Sequence, residues 1–264
     1  MGSTGQPTDR GEGHDGRQAG LSPVLRGSSD FDAVVAWIGT TLMRLQDKLD
    51  RLRAELRRAL DPEQRTALAA VLERLQMLQI VEHGLAVGDT LPDLALPDTT
   101  GRDVNSEELL AEGPLVLVFI RGTWCPYCSL ALQALDEARP RIERLGASLV
   151  VVAPLQPGEL ARAAAERGLG LRILSDADAA YARICGVQYE MSEAHVAFYR
   201  RFGLDLDALN AGSGWGLPIP ATYVAGSDGV ITFAHGHWDW AERADPAEIV
   251  AAVERLARAK GTTG

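Results

Sequence analysis

The chain has 264 residues, of which 46% are hydrophobic, and a formal net charge of -10 at pH 7. A chain of this length and composition can bury a substantial core, so we expect a soluble globular protein. The acidic balance argues against binding to nucleic acid or to an anionic membrane surface. There is no run of about 18 apolar residues and no apolar signal segment in residues 1–29, so we expect a cytoplasmic protein without a membrane span.

The first residues of the chain differ in composition from those that follow. Residues 1–29 are rich in Gly, Ser, Asp and Arg, and a segment with so few apolar side chains is predicted to be a disordered tail. After it, apolar residues recur at alternating steps of three and four, which predicts one long amphipathic helix from about Asp30 to Leu60. This apolar seam consists of Val35, Ile38, Leu42, Leu45, Leu49, Leu52 and Leu56.

A second helix is predicted directly after the first. Asp61 and Pro62 are typical of a helix N-terminus, and Gly84 is a stop signal. Residues 30–84 are therefore predicted to form a helical hairpin or coiled coil. Its seam can pair with a second chain or pack on the rest of the protein. We expect a homodimer through these N-terminal helices, with packing within one chain as the alternative.

Residues 85–264 alternate between apolar strands and amphipathic helices. This alternation predicts parallel crossover units, and the two strands around the Ser227-Asp228-Gly229 turn predict a final antiparallel hairpin. The expected fold class is α/β, with a central mixed sheet flanked by helices and preceded by the helical hairpin. Residues 189–216 show little strand pattern and could control access of the substrate.

Two cysteines follow the predicted buried strand Leu115 to Ile120, in a Cys125-Pro126-Tyr127-Cys128 motif that begins a helical pattern. Cys125 would lie at the helix N-terminus, where unpaired N–H groups favour the thiolate over the thiol. Cys128 lies one helical turn later and can attack an adduct formed on Cys125. The motif predicts redox chemistry, with Cys125 as the nucleophile and Cys128 as the resolving thiol.

Two other uses of the motif are possible. A structural zinc site needs a second pair of ligands, but only Cys185 remains, so we expect no metal. Two buried structural thiols are the other alternative, although burial alone does not require Arg121, Trp124 and Tyr127 beside them. Cys185 ends an apolar helix and is either a small buried side chain or an alternative resolving thiol.

The sequence from Arg121 to Cys128, RGTWCPYC, resembles the thioredoxin superfamily. It is most similar to the peroxiredoxin-like branch of the alkyl hydroperoxide reductase/thiol-specific antioxidant family. Residues 87–98, 173–178 and 219–224 agree with this resemblance, which covers about Leu85 to Leu256. It implies a thioredoxin-like fold and an antioxidant enzyme without a bound cofactor that reduces hydroperoxides. A dithiol or glutathione would return the enzyme to its reduced form.

The chain departs from the peroxiredoxin pattern near the first cysteine. Peroxiredoxins carry a proline seven residues and a hydroxyl residue three residues before it, where this chain has Val118 and Gly122. They also carry an arginine near the site, where this chain has Pro220. Thr123 could instead donate a hydrogen bond, and Arg121 could supply the positive charge.

The resemblance also implies which residues surround the substrate. Trp124, Pro126 and Tyr127 are expected to line the site. The Ile219–Pro220 bond is expected to be cis and to lie against the Cys125 sulfur, since proline tolerates the cis form.

Two other functions remain open at this point. The same dithiol would serve a thioredoxin-like or glutaredoxin-like oxidoreductase acting on protein or glutathione disulfides, and CPYC resembles the glutaredoxin motif. Alternatively, the protein is a redox-sensing interaction module in which oxidation alters how the N-terminal helices bind a partner. A peroxidase needs groups that polarise the peroxide O–O bond, whereas the oxidoreductase and the sensing module do not.

Overall fold

The computed structural model describes residues 36, 38–40, 43–201, 203–209 and 214–261, and the predicted disordered tail lies outside them. Residues 36 and 38–40 are helical. The helices that follow them are α1 (Leu45–Ala59), α2 (Pro62–Met77), α3 (Ile80–His83), α4 (Ser106–Glu112), α5 (Pro126–Arg144), α6 (Pro157–Arg167), α7 (Ala180–Ile184), α8 (Glu193–Arg201), α9 (Leu206–Leu209) and α10 (Pro246–Gly261). The strands are β1 (Ala95–Pro97), β2 (Asp103–Asn105), β3 (Leu115–Phe119), β4 (Ser148–Ala153), β5 (Arg172–Ser175), β6 (Gln188–Glu190), β7 (Gly216–Pro218), β8 (Ala221–Ala225) and β9 (Ile231–Gly236). None of these helices is long and apolar enough to cross a lipid bilayer.

Five strands form the central sheet in the order β5-β4-β3-β8-β9. The first three are parallel, whereas β8 is antiparallel to β3 and β9 is antiparallel to β8. Every residue of β3 is buried, as expected for a central strand with both faces covered. The predicted α/β class with a mixed sheet is therefore confirmed.

Helix α5 begins just beyond the carboxyl end of β3 and packs on β4 and α10. These contacts fix its N-terminus at one edge of the sheet, where ligand sites of open α/β sheets commonly lie.

The predicted long helix from Asp30 to Leu60 is interrupted. Arg44 has an extended conformation, with φ -60° and ψ 151°, and α1 begins after it. Gly39 and Thr40 lie just before the interruption, and both have low helix propensity. Tertiary contacts also hold the start of α1, since Gln46 donates a hydrogen bond to the Ala241 carbonyl at 3.2 Å.

The second helix begins as predicted but ends earlier. The Asp61 carboxylate accepts a hydrogen bond from the Gln64 N–H at 2.8 Å, and the Gln64 side chain accepts one from the Asp61 N–H at 3.0 Å. This reciprocal capping box starts α2. The helix ends at Met77, before a left-handed Gln79 with φ 50°, rather than at Gly84.

The two N-terminal helices do not pack mainly on each other, as a simple hairpin would. Helix α1 packs on α5, and α2 packs on α8. The seam residues Leu45, Leu49 and Leu52 are buried within the described chain. Helix α5 of the same chain therefore covers this part of the seam, as the alternative of packing within one chain expects, and the homodimer stays a prediction.

Replacing Leu49 with alanine should reduce the free energy of unfolding by about 2–5 kcal/mol, because its side chain is fully buried between α1 and α5. Chemical denaturation measures this loss, with the partly exposed Leu78→Ala variant as the control. An unfolding free energy that depends on protein concentration would instead indicate pairing with a second chain.

The segment with little strand pattern has a defined structure where it is described. Its ends pair as the antiparallel strands β6 and β7, with Tyr189 opposite Leu217. In chain order, α8 comes between these two strands, and it packs on α2. This segment therefore joins the N-terminal helices to the region of the cysteine motif.

Candidate active site

The cysteine motif lies in the turn that leads from β3 into α5. Cys125 is the N-cap residue of α5, in an extended conformation with φ -88° and ψ 119°, and Pro126 occupies the first turn. Proline suits this position because its missing N–H would have no helical partner. Cys128 follows in the first turn of the helix. Both cysteines are free thiols and both are buried.

The Arg121 guanidinium contacts the first cysteine of the motif. Its Nη1 is 3.8 Å from the Cys125 sulfur, and its Nη2 donates a hydrogen bond to the Tyr199 hydroxyl. The guanidinium lies over three aromatic rings, with its carbon 4.3 Å from the Trp240 centroid, 5.2 Å from that of Trp124 and 5.5 Å from that of Tyr199. Cation–π contacts of desolvated groups contribute about 2 kcal/mol each. These contacts stabilise the charge of Arg121 in the protein interior.

No ion pair among the described residues joins Arg121 to a carboxylate, although its side chain is only 2% exposed. A buried cation without a counter-charge costs several kcal/mol. The groups available to balance it are the sulfurs of the cysteine pair. Arg121 therefore favours a negative charge on that pair.

The two thiols share a hydrogen bond and titrate together. Burial raises the pKa of the Cys125 thiol well above its usual value, and the contact with Cys128 raises it further. Burial also acts to raise the pKa of Cys128, but the hydrogen bond from Cys125 and the charge of Arg243 outweigh it, so this pKa is well below the ordinary range. The lower pKa of the pair therefore belongs to Cys128, and the charges of Arg121 and Arg243 favour one negative charge on the two sulfurs.

Arg243 contacts the second cysteine, with its Nη2 3.3 Å from the Cys128 sulfur. Its Nε donates a hydrogen bond to the Trp240 carbonyl at 2.9 Å, which orients the guanidinium. The helix N-terminus alone predicted an ionised Cys125. In the reduced pair, the hydrogen bond from Cys125 and the charge of Arg243 lower the pKa of Cys128, and the ionisation of Cys125 stays a prediction.

A pocket of about 120 Å³ opens beside the first cysteine. Cys125 is part of its lining, whereas Cys128 is fully buried and is not. The pocket lies between α1, α2 and α8, and most of its lining is apolar or aromatic: Leu56, Leu60, Leu68, Leu72, Trp124, Pro126, Tyr127, Phe198, Tyr199, Leu204 and Trp240. A small molecule in this pocket would meet the Cys125 sulfur first.

Two buried N–H donors beside Cys125 have no acceptor among the described residues. They are the Nε atom of Arg121 and the Nε1 atom of Trp124. The Nε2 atom of His195 is also without a partner there, and burial followed by the charge of Arg121 lowers its pKa to about 3, so the ring is neutral. Unpaired buried polar atoms favour binding of a small polar molecule.

Of the residues expected to surround the substrate, Trp124, Pro126 and Tyr127 line the pocket. Pro220 does not. The Ile219–Pro220 bond is trans, since no cis peptide occurs in the described chain. The chain runs extended from β7 into β8 here, and the Pro220 carbonyl accepts a hydrogen bond from the His237 N–H at 3.2 Å. The expected cis bond is therefore wrong, and Pro220 lies outside the pocket lining.

Thr123 is half-buried and does not line the pocket. Its carbonyl oxygen accepts a hydrogen bond from Arg167 at 3.0 Å, and the structure shows no contact of its hydroxyl with Cys125. The expected role of Thr123 as a hydrogen-bond donor to the site is not supported by this placement.

Replacing Thr123 with valine should therefore leave the rate of oxidation by hydroperoxides within about twofold of the wild-type rate. The second-order rate constant of the reduced protein is the measurement. A tenfold loss would show that the hydroxyl does reach the reacting atoms.

The position three residues before Cys125 cannot hold a hydroxyl side chain in this turn. Gly122 has φ 144°, and a Cβ atom there would collide with the indole of Trp124. The turn therefore places an indole where the peroxiredoxin pattern has a hydroxyl group.

Sequence reasoning missed Arg243, Tyr199 and His195. Arg243 lies more than 100 residues from the cysteines in the chain, and only the fold brings it to Cys128. The segment of residues 189–216 was singled out for substrate access, but nothing in it marked Tyr199 or His195. Cys185 is buried outside the pocket lining, and burial raises the pKa of its thiol to about 12.

Comparison with known proteins gives the family and the fold of this chain. Residues 87–234 match the model of the AhpC/TSA family, and no curated protein matches the chain. The structure is similar to peroxidoxin BcpB from Mycobacterium tuberculosis, with 22% identity, a TM-score of 0.52 and coverage of 65% of this chain and 98% of that chain. It is also similar to reduced Prx3 in complex with H2O2 from Vibrio vulnificus, with 20% identity, a TM-score of 0.51 and coverage of 64% and 99%.

These likenesses indicate that the fold is thioredoxin-like. The family match spans more than half of the chain and includes both cysteines of the motif. The chain therefore belongs to the AhpC/TSA family.

Proposed function

We propose that the protein is a thiol peroxidase that reduces hydroperoxides at Cys125, with Cys128 as the resolving thiol. Membership of the AhpC/TSA family supports this function. The observation that carries the site assignment is that Cys125 and Arg121 both line the pocket, with the Arg121 Nη1 3.8 Å from the Cys125 sulfur. A guanidinium at this place can stabilise the negative charge that develops on a peroxide oxygen.

The proposed reaction begins with transfer of the Cys125 proton to Cys128 along the hydrogen bond between the sulfurs. The Cys125 thiolate attacks the terminal oxygen of the hydroperoxide, and the O–O bond breaks. Cys125 becomes a sulfenic acid, and the departing alkoxide takes the proton from the Cys128 thiol, which gives the alcohol and returns Cys128 to the thiolate. The positive charge of Arg121 stabilises the negative charge that moves from sulfur to oxygen.

In the second step, the Cys128 sulfur attacks the Cys125 sulfur. A disulfide forms, and the sulfenic hydroxyl leaves as water after taking up a proton. Arg243 stabilises the Cys128 thiolate that this step needs. A dithiol or two molecules of glutathione then reduce the disulfide, which restores both thiols and completes the cycle.

The alternative of a protein disulfide as substrate is less compatible with the pocket. The Cys125 residue is only 1% exposed, and the route to its sulfur is a small apolar pocket. Attack on a protein disulfide requires close approach of two sulfurs on large molecules. A small hydroperoxide meets no such barrier.

The experiment that tests the function mixes the reduced protein separately with hydrogen peroxide, an organic hydroperoxide and oxidised glutathione. Tryptophan fluorescence follows the reaction in a stopped-flow instrument, because Trp124 and Trp240 lie beside the cysteines. A peroxidase is oxidised fastest by a hydroperoxide. Fastest oxidation by glutathione disulfide would favour the oxidoreductase. Turnover of neither a hydroperoxide nor a disulfide, together with a change of oligomeric state on oxidation, would favour the sensing module.

A homodimer, a cytoplasmic location and the division at residues 84 and 85 remain predictions. Since α5 covers the seam of α1, a dimer would have to use another surface of the N-terminal helices. Met77, Leu78 and Val81 are apolar and exposed at the end of α2 and on α3. Sedimentation of the Met77→Lys variant beside the wild-type protein would test a dimer at this surface.

A further inference from the structure

The segment between β9 and α10, residues 237–245, carries two side chains of the cysteine site. The Trp240 ring packs on Arg121, with its centroid 4.3 Å from the guanidinium carbon. Arg243 lies further along the segment, and its Nη2 is 3.3 Å from the Cys128 sulfur. The position of this segment therefore affects how both cations are placed beside the two sulfurs.

The N-terminal helix α1 is tied to this segment by ion pairs. Arg53 pairs with Asp239 at 3.3 Å and with Glu242 at 2.7 Å. Arg44, just before the helix, pairs with Asp245 at 3.3 Å. A single exposed ion pair contributes little, but several that join the same two segments restrict their relative motion. These contacts hold the segment against α1 along most of its length.

Gln46 of α1 makes the contact nearest to Arg243. Its amide nitrogen donates a hydrogen bond to the Ala241 carbonyl at 3.2 Å, and its amide oxygen accepts one from the Arg243 N–H at 3.4 Å. A side-chain amide can make both bonds because it has a donor end and an acceptor end. The backbone of Arg243 is therefore held from α1, while its side chain reaches Cys128.

Both partners of this contact lie outside the family match. The match covers residues 87–234, whereas Gln46 precedes it and Arg243 follows it. The placement of Arg243 therefore depends on the two parts of the chain that flank the matched region.

We propose that Gln46 is a positioning residue that holds the Arg243 guanidinium against Cys128 and thereby favours the ionised form of the resolving sulfur. Gln46 carries no charge, and no hydrogen bond of the described structure joins it to either sulfur of the motif. It can act only by placing Arg243. This inference rests on the proposed function, because Cys128 is the resolving thiol there.

The groups that face Cys128 in the described chain come from several elements. Burial raises the pKa of Cys128, and the hydrogen bond from Cys125 and the charges of Arg243 and Arg121 outweigh it. The Tyr189 phenol also acts on the pair, but burial raises its pKa, so it is neutral. Removing or displacing Arg243 should therefore raise the pH at which the pair loses its first proton.

The test measures this ionisation in the reduced protein without any substrate, from the ultraviolet absorbance of the thiolate as the pH rises. Cys185 does not interfere, because burial raises the pKa of its thiol to about 12. Arg243→Met should move the midpoint up by about 1–3 pH units, the effect of losing an opposite charge at this distance. Gln46→Met displaces that charge without removing it and should move the midpoint up by about 0.5 unit or more.

A double variant decides whether Gln46 acts through Arg243. In the Arg243→Met background, Gln46→Met should cause no further shift, because the guanidinium that it positions is gone. A shift of equal size in both backgrounds, or no shift in folded Gln46→Met protein, would overturn the proposal. Gln46→Ala also lacks the amide, so the same measurement on it decides the question where the methionine variant does not fold.

Gln76→Met is the matched control for the loss of an amide. Gln76 is exposed on α2, and no hydrogen bond of the described structure joins its side chain to residues 237–245. The midpoint of its ionisation should equal that of the wild-type protein. An effect equal to that of Gln46→Met would contradict the positioning role.

The rate of disulfide formation after oxidation gives a second readout. Gln46→Met should slow this step at neutral pH and regain the wild-type rate at a pH where Cys128 is fully ionised. A shifted midpoint in a protein that reduces no hydroperoxide would contradict the peroxidase but support the positioning role. Reduction of hydroperoxides with an unshifted midpoint would contradict the positioning role alone.

Discussion

Replacing Cys125 with serine should lower the rate at which hydroperoxides oxidise the reduced protein by at least about 1000-fold, the order expected for loss of a nucleophile. Cys125 is the sulfur that lines the pocket, and a serine hydroxyl is not ionised there. Cys128 is fully buried and cannot take over the reaction with a molecule in the pocket.

The Cys128→Ser variant should behave differently. It removes the sulfur that takes up the Cys125 proton, but it also removes the neighbour that raises the pKa of the Cys125 thiol, so the first oxidation should still occur. The reaction should then stop at the sulfenic acid, because the resolving sulfur is gone. A dimedone-type probe and mass spectrometry detect this species. Rapid oxidation of the Cys125→Ser variant would instead show that Cys128 is the nucleophile.

Replacing Arg121 with methionine should lower the rate of oxidation by about 100-fold, the order measured when one group that stabilises a developing oxyanion is removed. The positive charge faces Cys125 at 3.8 Å and lies in a buried aromatic environment, where electrostatic interactions are strong. Methionine keeps an unbranched apolar stem beside Trp240 but carries no charge. The loss should therefore appear in the chemistry rather than in the packing.

The pH dependence gives a second measurement for the same variant. The charge of Arg121 lowers the pKa of both thiols, so its removal raises the pH at which the pair loses a proton. The acid limb of the rate profile should therefore move to higher pH in Arg121→Met. An unshifted profile with an unchanged rate would contradict the assignment of Arg121.

Arg167→Met is the matched control for this experiment. Arg167 donates a hydrogen bond to the Thr123 carbonyl, so it contacts the same turn without contacting a sulfur. Its removal should leave both the rate and the pH profile near those of the wild type. A loss equal to that of Arg121→Met would show that the turn, and not the charge, limits the reaction.

The parts of this structure that were predictable from sequence depend on local patterns. The continuous apolar run Leu115–Phe119 predicted a buried central strand, and the CPYC motif after it predicted the helix N-terminus. The Asp61 and Pro62 signal predicted the start of α2. In each case the residues that make the feature are neighbours in the chain, so their pattern contains the information.

The parts that were not predictable depend on contacts between distant segments. An apolar seam shows that α1 needs a partner but not which one, and α5 of the same chain provides it. The charge of Arg243 lowers the pKa of Cys128 against the effect of burial, and the motif does not contain Arg243. The pocket likewise lies between three helices, α1, α2 and α8. No local pattern in the sequence predicts that these helices pack together.

The most direct test of the account is to treat the reduced protein with one equivalent of an organic hydroperoxide and to map its cysteines by mass spectrometry. We predict a disulfide between Cys125 and Cys128, formed with release of the alcohol, and an unmodified Cys185. Recovery of Cys125 and Cys128 as free thiols, with the hydroperoxide unconsumed, would contradict the account.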